Sequence, residues 1–173
     1  MKTNNENVDK LAGDILADIT TSSMTTFQKV KAVHNYLVQT SVYEHSGGGW
    51  NFDYVSSYDG DVVILAEEML STKKGVCYNF AAVFMILTRR IGLDSYMMSG
   101  YIDYNGGQSS HYWNIIRING VEYLIDTQAD WRNSDGGPTR YTNFGLTNTP
   151  KYHYDNKEGT YAAFNNFERY PEG

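Results

Sequence analysis

The chain reads Lys73-Lys74-Gly75-Val76-Cys77-Tyr78-Asn79-Phe80-Ala81 where a flexible glycine turn gives way to a long apolar run. In that run apolar residues recur at helical spacing, and apolar groups also fill most of the remaining faces. The recurring residues are Phe80, Phe84, Leu87 and Ile91. Arg89 and Arg90 are cations favoured in a last helical turn, and Gly92 suits a left-handed cap. The stretch therefore predicts a buried helix with Cys77 in its first turn.

The position of Cys77 in the first turn has chemical consequences. Unpaired backbone N–H groups and the positive end of the helix dipole favour a thiolate there. The same N–H groups are suited to bind the oxyanion of a tetrahedral intermediate. Lys73 and Lys74 either add positive charge or form a solvated turn. The alternative for Cys77 is the role of a small buried apolar residue.

A second informative stretch, residues 110–128, contains two β-prone runs joined by Asn119-Gly120. Asn-Gly is the strongest short hairpin signal. A two-residue turn places Ile118 opposite Val121, and it places Arg117 opposite Glu122 as a pair of opposite charges. The sequence therefore predicts an antiparallel hairpin in this register.

The same register, continued outward, brings two titratable residues together. Trp113 would face Asp126, and His111 would face Gln128. His111 and Asp126 then become diagonal neighbours on one face, about 7–8 Å apart at the backbone and within reach of a hydrogen bond. The alternatives are a strand-end carboxylate for Asp126 and a surface histidine for His111.

These motifs resemble the transglutaminase-like superfamily. The resemblance rests on Gly-Val-Cys at 75–77, His-x-Trp-Asn at 111–114 and Ile-Asp-Thr at 125–127, and it extends more weakly to the segment 24–43. It implies a papain-like α+β fold, in which N-terminal helices and a central buried helix bearing the cysteine pack on an antiparallel sheet of at least three strands. It also implies that Cys77 is the nucleophile, that His111 is the base and acid, and that Asp126 orients His111.

The resemblance implies a class of reaction rather than a single reaction, because the superfamily contains transglutaminases, peptidases, amidases and inactive members. Our leading expectation is thiol-dependent acyl transfer at a protein or peptide amide through a thioester. The first alternative is a cysteine peptidase or amidase, and the second is a catalytically silent binding domain. Cell-wall peptide is one candidate substrate.

Several aromatic residues are candidates for the acyl pocket. The resemblance implies an upstream aromatic that assists the oxyanion hole, for which Tyr43, Trp50 and Tyr54 are candidates and Trp50 is favoured. Tyr78 follows the nucleophile directly. Trp113 shares the predicted face of the imidazole and could shield it from water. The alternative for each residue is ordinary packing.

Composition sets further limits. A chain of 173 residues with 41% hydrophobic content suits one domain over 1–173, with a core at about 24–146 and loosely ordered ends at 1–7 and 165–173. A net charge of -6, without a basic stripe, argues against nucleic acid. One cysteine and four histidines without ligand spacing predict neither metal nor cofactor. The sequence has no apolar run of about 18 residues, so no transmembrane helix is predicted.

The sequence gives two expectations for location. The start lacks the apolar core of a signal peptide, so the chain as written would stay cytoplasmic if it is complete. The polar start and abrupt end also fit a domain of a longer exported bacterial protein, and the resemblance favours this extracellular or cell-surface location. The sequence carries no signal for oligomeric state.

The remaining segments are assigned from periodicity and turn signals. His34, which falls in a helix, is interpreted as structural. The Asp130–Pro138 loop has only weak calcium character, lacking regular ligand spacing. One helix is predicted at about 8–20, a second directly after a Thr25–Gln28 capping box, and a third at 61–70. Strands are predicted at 95–104 and around 141–146. Loops are predicted at 44–60 and 130–138, and an aromatic tail follows.

Overall fold

The computed structural model describes residues 2–44, 59–104, 107–146, 155–156 and 159–160. Most of the predicted loop at 44–60 and most of the aromatic tail lie outside these ranges. Trp50 and Tyr54 therefore also lie outside the described residues.

Five helices occur in the described chain. They are α1 (Glu6–Ile19), α2 (Thr26–Thr40), α3 (Asp59–Thr72), α4 (Cys77–Arg90) and α5 (Thr127–Ser134). The capping box before α2 is confirmed, since Thr25 Oγ1 accepts from the Gln28 N–H and Gln28 Oε1 accepts from the Thr25 N–H. Cys77 lies in the first turn of α4 and Arg89 and Arg90 in its last turn, as predicted, and Gly92 after it has a φ of 101°. None of the described helices combines the length and apolar character needed to cross a bilayer.

The described strands form two sheets. Their bounds are β1 (Val42–Tyr43), β2 (Lys74–Gly75), β3 (Asp94–Tyr104), β4 (Gly107–Ile118), β5 (Val121–Ile125), β6 (Phe144–Leu146), β7 (Asp155–Asn156) and β8 (Gly159–Thr160). β1 and β2 form a short parallel pair. The other six form an antiparallel sheet in the order β6-β5-β4-β3-β7-β8. The predicted α+β class, with at least three sequential antiparallel strands, is confirmed.

The hairpin register is confirmed as far as the strands extend. Ile118 pairs with Val121 and Arg117 with Glu122, whose side chains form an ion pair. Asn119 and Gly120 both have positive φ, 52° and 79°, which is the requirement of a tight two-residue hairpin turn.

Helix α4 occupies the centre of the core. It packs against the other four helices and against β3 and β4. Every side chain from Cys77 to Thr88 is buried. A second, smaller apolar cluster on the sheet contains Ile102, Trp113, Ile115, Leu124 and Leu146. The long apolar run is therefore the element around which the helices and the sheet assemble.

The chain after Ile125 differs from the prediction. The sequence predicts a strand through Gln128 and a loop over 130–138, but β5 ends at Ile125 and α5 covers Thr127–Ser134. Asp126 causes the change, because its Oδ1 accepts the Ala129 N–H at 3.0 Å and so caps a new helix. Gln128 consequently lies in α5 and is not paired with His111. The loop begins only after α5, where Asp135 has a φ of 45°.

Candidate active site

The entrance to α4 is organised by Asn79. Its Oδ1 accepts the Val76 N–H at 3.0 Å, and its Nδ2 donates to the Leu65 carbonyl and to Glu68, each at 3.0 Å. The helix start is thereby tied to α3. Sequence reasoning missed Asn79, although a polar residue in the first turn of an otherwise apolar helix is a detectable signal.

Gly75 makes room for that arrangement. A Cβ atom at position 75 would lie 2.5 Å from the Cβ of Asn79, closer than real carbon atoms approach. The glycine predicted as a flexible turn is instead part of β2, with its backbone pressed against Asn79. A larger residue would displace either Asn79 or the chain leading to Cys77.

The short parallel pair β1-β2 brings a distant segment beside Cys77. The Val42 N–H donates to the Lys73 carbonyl at 2.9 Å, and the Glu44 N–H donates to the Gly75 carbonyl at 3.0 Å. Lys74 forms a partly exposed ion pair with Glu44 at 3.1 Å. Lys74 is thus a partly exposed strand residue whose charge is paired with Glu44.

His111 and Asp126 form a buried pair. Nε2 of His111 lies 2.6 Å from Oδ2 of Asp126, and the two residues are only 4% and 1% exposed. The predicted proximity of these residues is thus observed, although Asp126 stands one residue beyond β5. Oδ1 of Asp126 caps α5, so one carboxylate fixes both a helix start and an imidazole.

The surroundings of His111 favour its charged form. Burial by itself lowers the pKa of His111, but the charge of Asp126, the hydrogen bond to Asp126 and a hydrogen bond and charge interaction with Cys77 together raise it to about 10. Because Asp126 engages Nε2, Nδ1 is the ring nitrogen left for Cys77. Cys77 itself is buried at the first turn of α4. The arrangement brings a thiol, an imidazole and a carboxylate into one buried interaction network.

Three of the predicted pocket aromatics surround this network. Trp113 stacks near-parallel to the His111 ring at 6.3 Å between ring centroids. Tyr78 is buried with its ring edge against Tyr112. Tyr43 is 40% exposed and stacks on Trp131, a residue that the sequence did not single out.

Electrostatic interaction with Cys77 affects the pKa of two of these tyrosines. Burial raises the pKa of Tyr43, and interaction with Cys77 adds to the rise. Burial also raises the pKa of Tyr78, with further contributions from Glu68 and Cys77. Tyr43 and Tyr78 therefore both lie within electrostatic range of the sulfur atom.

The described residues contain no group of three or more His, Cys, Asp or Glu side chains arranged to hold a metal ion.

Comparison with known families identifies the class. Residues 13–136 match the family model of the transglutaminase-like superfamily, which is well over half of the chain. The protein belongs to this superfamily, whose members are typically cysteine enzymes such as proteases and acyltransferases. No curated protein matches the sequence.

Solved structures agree on the fold. A protein from Cytophaga hutchinsonii, provisionally classed as a cysteine protease, is 19% identical with a TM-score of 0.53, over 70% of this chain and 37% of that one. An arylamine N-acetyltransferase from Bacillus cereus, described as having a Cys-His-Glu triad, is 15% identical with a TM-score of 0.50, over 73% and 49% of the two chains. This chain thus spans less than half of either neighbour.

Proposed function

We propose that the protein is a thiol-dependent acyltransferase acting on a protein or peptide amide, with Cys77 as nucleophile, His111 as acid and base, and Asp126 as the residue that orients His111. The observation that most supports this proposal is the buried 2.6 Å contact of His111 with Asp126 beside Cys77. A carboxylate on one ring nitrogen fixes the ring and stabilises its positive charge.

In the proposed reaction the Cys77 thiolate attacks the amide carbonyl and forms a tetrahedral intermediate. The start of α4 presents backbone N–H groups at the positive end of the helix dipole, which are suited to hold its oxyanion. His111 gives its proton to the departing amine as the C–N bond breaks, which leaves a thioester. The neutral imidazole then takes a proton from a second nucleophile, whose attack breaks the C–S bond and restores the thiolate.

The identity of the second nucleophile separates transfer from hydrolysis. An amine gives a new amide, whereas water gives a carboxylic acid. Cys77 and His111 are 3% and 4% exposed, and a site that excludes water favours an amine that is held in place. This burial is the reason that acyl transfer is the leading proposal and hydrolysis by a peptidase or amidase the second.

The nucleophile can be tested directly, because Cys77 is the only cysteine in the chain. We expect iodoacetamide to alkylate the wild-type protein rapidly below pH 7 and the His111→Ala variant only slowly. Intact mass measures the modification over time. An ordinary titration near about 8.5 in both proteins would instead favour the catalytically silent binding domain.

The type of reaction can be tested from product mass. Casein and cell-wall peptide are each incubated with the protein and a fluorescent primary amine, with Cys77→Ser as the matched control. Amine incorporation with loss of ammonia, absent in the control, indicates transfer. Cysteine-dependent deamidation or backbone cleavage without amine incorporation would replace the transferase assignment with the hydrolase.

A further inference from the structure

A second buried histidine–carboxylate pair lies next to the proposed triad. Nε2 of His34 in α2 is 2.8 Å from Oδ2 of Asp130 in α5, and neither side chain is exposed. Asp130 is one helical turn beyond Asp126, and its N–H donates to the Asp126 carbonyl at 3.2 Å. The reaction proposed above does not use this pair.

Asn143 connects the two pairs. Its backbone N–H and its Nδ2 both donate to Oδ1 of Asp130, at 2.9 and 3.1 Å. Its carbonyl accepts the Asp126 N–H at 2.8 Å. A continuous path of buried hydrogen bonds therefore runs from His34 through Asp130 and Asn143 to the backbone of Asp126.

The far end of this path is held rigidly. The His34 ring stacks on Tyr141 at 5.1 Å and lies 4.7 Å from the Phe144 ring. His34 is 96 residues away from Asp130 in sequence, so the contact fixes α2 relative to the first turns of α5. Movement of Asp130 would have to disturb α2, α5 and the approach to β6 together.

Asp126 and Asp130 are close enough for the charge of one to affect the pKa of the other. Burial raises the pKa of Asp130, the hydrogen bond and charge of His34 and the Asn143 N–H lower it, and the charge of Asp126 raises it. An apolar pair of similar shape would commonly stabilise a core as well as a buried ion pair does. A polar pair that is fully buried beside a second carboxylate is better explained by the geometry it imposes.

We propose that His34, Asp130 and Asn143 are positioning residues that hold Asp126 against His111. This inference rests on the proposed function, because the role of Asp126 is proposed there. The path fixes the backbone N–H and carbonyl of Asp126, while the helix cap fixes its Oδ1. In this geometry its Oδ2 lies 2.6 Å from Nε2 of His111.

The test compares Asp130→Ala with Asp130→Asn. The asparagine keeps an oxygen that accepts from Asn143 and can donate its amide N–H to a neutral His34, whereas alanine removes both contacts. We expect the alkylation rate of Cys77 by iodoacetamide at pH 6 to fall roughly tenfold to a hundredfold in Asp130→Ala and to recover most of this loss in Asp130→Asn. His34→Ala should resemble Asp130→Ala.

Val33→Ala is the matched control for loss of core packing, since Val33 precedes His34 in α2 and is fully buried but has no part in the path. It should lower the melting temperature without changing the alkylation rate of Cys77 at pH 6. If Asp130→Ala has a lower melting temperature but Cys77 is alkylated at the same rate as in the wild type, Asp130 is merely structural. Equal losses in Asp130→Ala and Asp130→Asn would also overturn the proposal, because charge and not hydrogen-bond geometry would then be responsible.

A proton NMR measurement, which does not depend on the reactivity of Cys77, separates the two proposals. The His111 ring N–H that faces Asp126 should give a downfield proton signal, assigned by its absence in His111→Ala, and we expect this signal to shift or broaden in Asp130→Ala. An unchanged signal would refute the positioning role even if Cys77 were reactive. A wild-type protein with ordinary thiol reactivity but a signal sensitive to Asp130 would refute the proposed function and leave the positioning path standing.

Discussion

At the scale of single residues, the pKa of His111 is subject to opposing effects. Burial disfavours the imidazolium, but the neighbouring Asp126 carboxylate, with a further contribution from Cys77, more than compensates, so that the pKa of His111 rises to about 10. A folded state that binds a proton more tightly than the unfolded chain is stabilised by that proton. The candidate site should therefore contribute to stability as well as to reactivity.

The pH dependence of unfolding tests this conclusion. The stabilisation is fully present below the unfolded pKa of about 6.5 and is lost as the pH rises through about 10. We compare Cys77→Ser with Cys77→Ser/His111→Gln, so that the thiol does not titrate. The interactions of His111 with Asp126 remain in this background while those with Cys77 are lost, so the difference in unfolding free energy from urea titrations should decrease within the range from pH 6.5 to 10. A difference that stays constant over this range would contradict the raised pKa.

Gly75 provides a second prediction at this scale. Gly75→Ala should destabilise the protein by about 1–3 kcal/mol, because the new methyl group collides with Asn79 at the entrance to α4. Gly13→Ala is the matched control, since its nearest neighbour is the flexible end of Arg90 and alanine favours a helix by about 0.5–1 kcal/mol. Urea denaturation measures both effects. Equal stability of the two variants would refute the steric argument.

At the scale of secondary structure, local signals account for what the sequence predicted correctly. The apolar run that became α4, the capping box before α2 and the Asn119-Gly120 turn each act over a few residues. They placed Cys77 at a helix start and set the register that brought His111 near Asp126. These signals were sufficient for the three proposed catalytic residues.

The parts that sequence reasoning missed depend on contacts between distant segments. The β-prone run before Asp126 predicts a strand at this position, and this local signal conceals its role as the cap of α5. The sequence indicates a structural role for His34 but cannot identify its partner Asp130, which lies 96 positions away. No local sequence pattern predicts a contact between two residues so far apart in the chain.

The two roles of Asp126 can be separated by substitution. Asp126→Asn keeps an oxygen that can cap α5, yet its amide would donate to Nε2 of His111 and impose the wrong tautomer. Asp126→Ala loses the cap as well, which costs about 0.5–2 kcal/mol. We expect both variants to lose acyl-transfer activity by about 10³–10⁴-fold, as in a comparable triad, while only Asp126→Ala melts clearly lower. Retained activity in Asp126→Asn would show that Asp126 serves only as a cap.

At the scale of the whole molecule, we propose that the chain forms one domain over 1–173 with its core at about 24–146. Strand β4 supplies the physical link, because Tyr112 and Ile116 belong to the large cluster around α4, while Trp113 and Ile115 belong to the smaller cluster. Loss of packing in either cluster should therefore weaken the same cooperative unit. The catalytic proposal needs this unity, since Cys77 and His111 come from the helical layer and the sheet.

Two core substitutions test that unity. Phe84→Ala removes packing from the large cluster and should cost about 3–5 kcal/mol, and Ile115→Ala removes packing from the smaller one and should cost about 2–5 kcal/mol. In each variant, far-UV and near-UV circular dichroism should report the same single unfolding midpoint, shifted from the wild-type value. Separate midpoints for helices and aromatic packing would divide the chain into two units. The single-domain proposal would then fail, because the helical layer could unfold while the sheet remained intact.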